Sequence, residues 1–180
     1  MHVALVSIGH GPSLALRNLE RFCSRRPGLD VATFSLHDFH LRDFQEAKAQ
    51  GAQQWSWASK VDDAVAELHG VSPSVVGFSC YLWNTEHSVH LAQVIKRLLP
   101  ECLMVFGGPD AGPRAEALLR CDAVDVVVEG DGELPFAGLL ETLSGGSRDF
   151  SDVPSVRYRR RGELVANPPP PEQLDLAEVE

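Results

Sequence analysis

Hydrophobic positions along the chain fall into two alternating patterns. Short runs such as HVALVSI, SVVGFS and VDVVV are apolar at nearly every position and rich in β-branched residues. Between them, apolar residues recur at helical spacing, as Leu14, Leu16, Leu19 and Phe22 do. The first pattern predicts buried strands at residues 2–8, 30–35, 74–79, 102–106 and 124–128. The second predicts helices: one capped by Ser13 and running to 24, one over 53–69 with Gly70 as its C-cap, and one capped by Thr85 and running to 98. Two more follow at 113–120 and 132–144. Residues 36–54, with His37, Phe39, His40 and Phe44 among polar neighbours, carry no clear pattern. Strands apolar on both faces that alternate with helices predict a parallel sheet covered on each side. Right-handed crossovers make a doubly wound, flavodoxin-like (Rossmann-type) α/β fold of five parallel strands the economical layout. The tail differs: 155–159 and 163–166 flank Arg160-Arg161-Gly162 and predict a β-hairpin. Residues 168–171 form a stiff proline run, and 172–180 are acidic and expected to be loose. The expected organisation is a binding domain over 1–150 and a hairpin with linker over 151–180.

Composition narrows the function. A net charge of −9 argues against a broad nucleic-acid footprint. The one basic run, residues 157–161, reads as a solvated strand and turn. Residues 1–8 lack the basic leader of a signal peptide, and no run approaches the roughly 18 apolar residues of a membrane span. A cytoplasmic protein without a membrane partner is expected. Cys23, Cys80, Cys102 and Cys121 have no metal-finger or CxxC spacing and are expected to be reduced and buried. No iron–sulfur cysteine cluster is present in the sequence.

In an open parallel sheet, ligands sit outside the carboxyl ends of the strands. The unusual sequence collects there: Ser7-Ile-Gly9-His10-Gly-Pro-Ser13, Ser79-Cys-Tyr81-Leu-Trp83-Asn84, Gly107-Gly108-Pro109-Asp-Ala-Gly112 and Glu129-Gly130-Asp131-Gly132-Glu133. Gly107 and Gly108 lack a Cβ and let a bulky planar ligand lie against backbone, while Pro109 fixes the turn. Gly130 and Gly132 allow the same approach. Glu129, Asp131 and Glu133 suit hydroxyls or amides better than a polyphosphate. Tyr81, Trp83 and Asn84 add two flat surfaces and an amide. No GxGxxG follows the first strand and no GxxxxGK[ST] occurs, which disfavours dinucleotides and nucleoside triphosphates.

The succession GFSCYLWN, helix, VFGGPDAG, then VDVVVEGDGE resembles the amino-terminal cobalamin-binding domain of class B radical S-adenosylmethionine enzymes. The match spans residues 1–166 and is strongest over 76–143; Asp131 stands where the family commonly has Glu. The resemblance implies a corrinoid at the sheet edge, its nucleotide tail entering near Ser79, Gly107, Gly108 and residues 129–133. It implies cobalamin as cofactor and a radical S-adenosylmethionine partner domain in cis or trans, with S-adenosylmethionine and an iron–sulfur cluster in that domain. A methyltransferase is the implied parent enzyme. This chain has no CxxxCxxC, and no catalytic residue is assigned to it; Leu174-Asp175-Leu176 looks like the start of the family's linker. The loop at His10 differs from the DxHxxG of methionine-synthase-like domains, so no histidine ligand to cobalt is expected. Cofactor contacts are thus expected at Ser7, Gly9, His10, Ser79, Tyr81, Trp83, Asn84, Gly107, Gly108, Pro109 and the 129–133 turn.

Two other readings stay open. A flavodoxin-like flavin-binding or electron-transfer domain would use Gly9, Gly11 and Ser13 at a phosphate and Tyr81 with Trp83 at the ring. A glycosyltransferase half-domain would bind a sugar nucleotide at Gly107 and Glu133. His37 and His40, flanking Asp38, are a weak metal candidate; His87 and His90 read as a solvated or packed helix face.

Overall fold

The computed structural model describes residues 1–29, 32–43, 45 and 59–170, with backbone alone at 59 and 60. Trp57 and the linker at 174–176 lie outside the described residues. The elements run β1 (His2–Gly9), α1 (Leu14–Ser24), β2 (Thr33–His40), α2 (Ser59–Val71), β3 (Val75–Ser79) and α3 (Thr85–Leu98). Then come β4 (Leu103–Gly107), a 3-10 turn (Gly112–Arg114), α4 (Ala115–Leu118), β5 (Val126–Val128), α5 (Glu133–Ser144), β6 (Val156–Arg160) and β7 (Glu163–Ala166).

The strands form one sheet in the order β2-β1-β3-β4-β5-β6-β7. The first five are parallel, and β6 and β7 are antiparallel additions at the β5 edge. The expected flavodoxin-like order is therefore present, with the hairpin continuing the same sheet. Its turn is Arg161-Gly162, with φ of 53° and 88°, the pair of positive values that matches the twist of two strands joined by a two-residue loop.

Alternation on the central strands separates two cores. Val75, Leu103 and Val105 face α1 and α5, packing with Leu16, Phe22, Phe136 and Leu140. Val76, Phe78, Met104 and Phe106 face α2, α3 and α4, packing with Leu68, Leu91, Ile95 and Leu118. Each fully buried side chain of this size contributes ~1.5–3 kcal/mol of transfer free energy.

Several boundaries depart from the sequence expectation. The second strand is Thr33–His40, so the patternless stretch from residue 36 begins as strand. It is an edge strand only partly buried, with polar side chains on both faces, which erases the apolar signal. Helix α2 runs past Gly70 to Val71, and the reversal falls on Ser72 at φ 45°. Ser13 does cap α1, accepting from Leu16 N at 3.3 Å. Thr85 is instead the first helical residue, its hydroxyl 2.9 Å from the Tyr81 carbonyl and 2.6 Å from the Asp110 carboxylate. The basic run of residues 157–161 is largely engaged rather than solvated. Arg157 pairs with Glu129 at 3.0 Å, Arg160 with Asp149 at 3.0 Å, and Arg159 donates to the carbonyls of Leu119 and Val124. Among the described residues no helix is long and apolar enough to cross a membrane.

Candidate functional site

Parallel pairing places the ends of β1, β3, β4 and β5 at one edge. A cavity of about 280 Å³ opens there between α1 and α5. Its lining includes Gly77, Ser79, Tyr81, Val105, Gly107, Gly108, Pro109, Val128, Gly130, Asp131, Gly132, Glu133 and, from the helices, Leu16, Leu19 and Phe136. Nine of the expected site residues are thus brought together: Ser79, Tyr81, Gly107, Gly108, Pro109, Gly130, Asp131, Gly132 and Glu133.

The cavity borders a position that has no room for a side chain. Gly77 pairs with Leu5 on β1 and Val105 on β4, in the middle of the sheet. A Cβ there would lie 3.0 Å from Leu5 Cδ2 and 3.2 Å from Phe136 Cε2. Gly77 and Val105 precede Ser79 and Gly107 by two residues, so the cavity reaches roughly 7 Å below the rim at the usual rise per strand residue. The Ser79 hydroxyl forms no hydrogen bond with another described residue, and its side chain faces the same side of the sheet as Gly77.

The Gly-Gly turn serves two masters. Gly107 is open: the nearest atom to an added Cβ is Val128 Cβ at 3.7 Å. Gly108 has φ +100°, and an added Cβ would sit 2.7 Å from the Cys80 carbonyl oxygen. The close approach it was expected to grant a ligand is therefore taken first by the chain itself. Cys80 N donates to Gly107 O at 2.7 Å, and Asp110 N donates to Cys80 O at 3.2 Å. Asp110 completes the rivet by accepting from Arg114 at 3.1 Å. The Cys80 thiol in this joint is pushed up to about 12 by burial first and by Asp110 second, so it stays protonated.

Asn84 lies behind the rim. It is buried, its amide nitrogen donates to Ile8 O at 2.9 Å and Ser79 O at 3.0 Å, and its Oδ1 accepts from Tyr81 N at 2.7 Å. Its side chain is consumed by holding three strand and loop ends together, which makes it a positioning residue. Tyr81 and Trp83 stack with centroids 4.9 Å apart and planes at 10°. Tyr81 lines the cavity, whereas Trp83 and Leu82 stand exposed above it.

The remaining expected residues lie apart from the cavity. Ser7 is buried and donates to Asp38 Oδ1 at 3.0 Å; the same oxygen accepts from Ser13 N at 3.1 Å. The loop after β1 thus takes its acid from β2, a role hidden in the unassigned stretch. Gly9 ends β1, and His10 is exposed, edge-on to His40 at 5.8 Å. Glu129 pairs with Arg157 and faces a neighbouring cleft lined also by Arg114 and Glu116. His37 sits 2.7 Å from Ser35 Oγ and 2.5 Å from Glu67, on the opposite side of β2 from Asp38, so these two do not converge on one ion. No group of three His, Cys, Asp or Glu among the described residues is arranged to hold a metal. The missed lining residues Gly77, Val105, Leu16, Leu19 and Phe136 look like ordinary core in the sequence. Only Gly77, a glycine inside an otherwise β-branched strand, carried a signal.

Residues 3–140 match the B12 binding domain family. TokK of Streptomyces tokunonensis, a cobalamin-dependent radical SAM methyltransferase, is 36% identical over 99 residues, 54% of this chain and 14% of the relative. The 2-(S-pantetheinyl)-carbapenam-3-carboxylate methyltransferase of Streptantibioticus cattleyicolor is 34% identical over 134 residues, 72% of this chain and 20% of the relative. This chain thus spans a fifth or less of the length of these two relatives. Among solved structures, the radical enzyme OxsB with aqua-cobalamin and S-adenosylmethionine aligns with a TM-score of 0.73 at 13% identity, over 99% of this chain and 23% of that one. The methyltransferase TsrM of Kitasatospora setae, with cobalamin and a [4Fe-4S] cluster, aligns at 0.65 and 21% identity, over 97% and 30%. At these identities the structural likeness speaks for the fold.

Proposed function

The chain belongs to the B12-binding domain family, and from that premise we propose that it is the cobalamin-binding domain of a radical S-adenosylmethionine methyltransferase. The observation that supports this most directly is the largely apolar cavity beneath the Gly107-Gly108-Pro109 turn, bordered by Gly77 and Val105 of the sheet and by Leu16, Leu19 and Phe136 of the helices. An apolar slot under a rim of bare backbone fits a corrinoid, whose flat ring covers the rim and whose nucleotide tail needs a channel. The flavin reading is not favoured beside the family match.

In this reading the tail enters past Ser79, Gly107 and Gly108. The 130–133 turn offers its carboxylates to the amide side chains of the ring. Tyr81, with Trp83 stacked on it, supplies a flat apolar wall at the mouth, and Asn84 and Asp38 hold the loops that carry these groups. Cobalamin, when bound, supplies a methyl-carrying cobalt. What this chain's residues contribute is binding, orientation and exclusion of water from the slot. No histidine is assigned to cobalt: His10 packs edge-on to His40, and Asp38 is occupied by Ser7 and Ser13.

The chemistry belongs to a radical S-adenosylmethionine domain in cis, where S-adenosylmethionine and an iron–sulfur cluster would bind, as the names of the relatives suggest. Residues 1–150 form the binding unit, with the hairpin and the following linker leading toward that domain. The net charge of −9 suits a cytoplasmic protein with no nucleic-acid partner.

The test is reconstitution. Purified protein incubated with hydroxocobalamin and desalted should retain corrinoid colour in about equal amount to protein; an uncoloured eluate overturns the proposal. His10→Ala should leave the visible bands in place, whereas a clear shift would put His10 on the cobalt.

A further inference from the structure

Resting on the corrinoid reading above, we infer that this slot selects corrinoids by their lower base, accepting a benzimidazole and discriminating against a purine. The selection follows from what lines the depth of the cavity. Gly77 and Val105 form its floor, Leu16 and Leu19 of α1 one wall, and Phe136 of α5 the other. Leu16, Val105 and Phe136 are buried core members at 5%, 2% and 2% exposure. None of these side chains donates or accepts a hydrogen bond. The polar groups of the lining belong to the rim, and Ser79 is the one whose strand position sets it at the head of the channel, two residues above Gly77.

The chemistry of the bases decides the rest. A dimethylbenzimidazole that has left the cobalt presents one bare ring nitrogen, and its far edge is two methyl groups. One hydroxyl near the mouth and apolar walls below match that distribution. Adenine presents an exocyclic amine and further ring nitrogens on the edge that would go deepest. Each would be stripped of water with no partner, which disfavours burying that edge. Leu5 and Phe136, closing over Gly77, set the depth available to either base, and Leu19, only partly buried and on the α1 wall, is placed to alter what the edge of the base meets.

Three corrinoids test this by spectroscopic titration of the whole chain: cobalamin, the adenine-based cobamide, and cobinamide, which lacks base and nucleotide. Cobalamin should bind about tenfold or more tighter than the adenine form, and cobinamide should also bind more weakly than cobalamin. Leu19→Gln, which offers a donor and an acceptor to the wall, should narrow the cobalamin-to-adenine ratio; a cooperative urea transition shows that the variant is folded. Adenine cobamide binding within about twofold of cobalamin overturns the selectivity and leaves the corrinoid reading standing. Cobinamide binding as tightly as cobalamin shows that the slot does not take the base and overturns the inference. An unchanged ratio in folded Leu19→Gln removes α1 from the selecting wall. If none of the three binds, the corrinoid reading itself has failed, and the inference with it.

Discussion

The two faces of this sheet are made from the same strands, and the cavity at the strand ends opens on one of them. Toward α2, α3 and α4, β3 and β4 present Val76, Phe78, Met104 and Phe106, and the rings of Phe78 and Phe106 lie 4.8 Å apart. Toward α1 and α5, the same strands present Val75, Gly77, Leu103 and Val105. The first face is closed. On the second, Leu5 and Phe136 close over Gly77, and the cavity opens at the rim beside the Gly107-Gly108-Pro109 and 130–133 turns. The contrast teaches that a slot can open at the strand ends directly beside a densely packed core, which holds its walls in place.

The largest expected effect comes from spoiling the closed face. Phe106→Ala should cost about 3–5 kcal/mol in denaturant unfolding, the range for truncating a buried aromatic. It should leave the preference among corrinoids unchanged once the protein is folded; a changed preference would mean that the two faces are not independent. Next is the turn at the rim. Gly108→Ala forces a Cβ to 2.7 Å from the Cys80 carbonyl at a φ that L-residues avoid, and should cost about 1–3 kcal/mol. Gly107→Ala, with 3.7 Å of room, should cost far less, and equal losses at both would refute the division of labour between them. Gly77→Ala is the sharpest comparison. Its methyl must push Leu5 or Phe136 by a few tenths of an ångström, while the unfolded chain loses freedom. Stability should change by less than about 1 kcal/mol, whereas cobalamin affinity should fall about tenfold.

The smallest effect is one of pH, outside the site. His2 and His90 are both held below the ordinary value of 6.5, chiefly by burial, His2 also by His37 and His90 also by Arg97. Their folded pKa values lie below the unfolded one, so between the two the unfolded chain binds more protons. Stability should therefore rise with pH through that window and fall on acidification below about 6.5. A urea midpoint that is level across that range would show that these two groups do not govern it.

The architecture was legible where strands were buried on both faces, since β1, β3 and β4 are apolar at nearly every position. It was illegible at β2, whose edge position lets Ser35, His37 and Asp38 stand where a central strand would need valines. The site split in the same way. Its rim showed in glycine, proline and acid at strand ends, because backbone conformation constrains residue type. Its walls did not, because Leu16, Leu19, Val105 and Phe136 are chosen by the same apolar rule as the core. Asn84 showed as a polar residue near the site, but only the structure reveals that its three hydrogen bonds all turn inward.

That last side chain has a consequence for motion. By bridging the ends of β1 and β3 to the loop that carries Tyr81, Asn84 makes the lip of the slot part of the sheet's own cooperative unit. Deuterium should therefore enter the Tyr81 amide about as slowly as the central strands, and the slot should breathe only when β1 and β3 part.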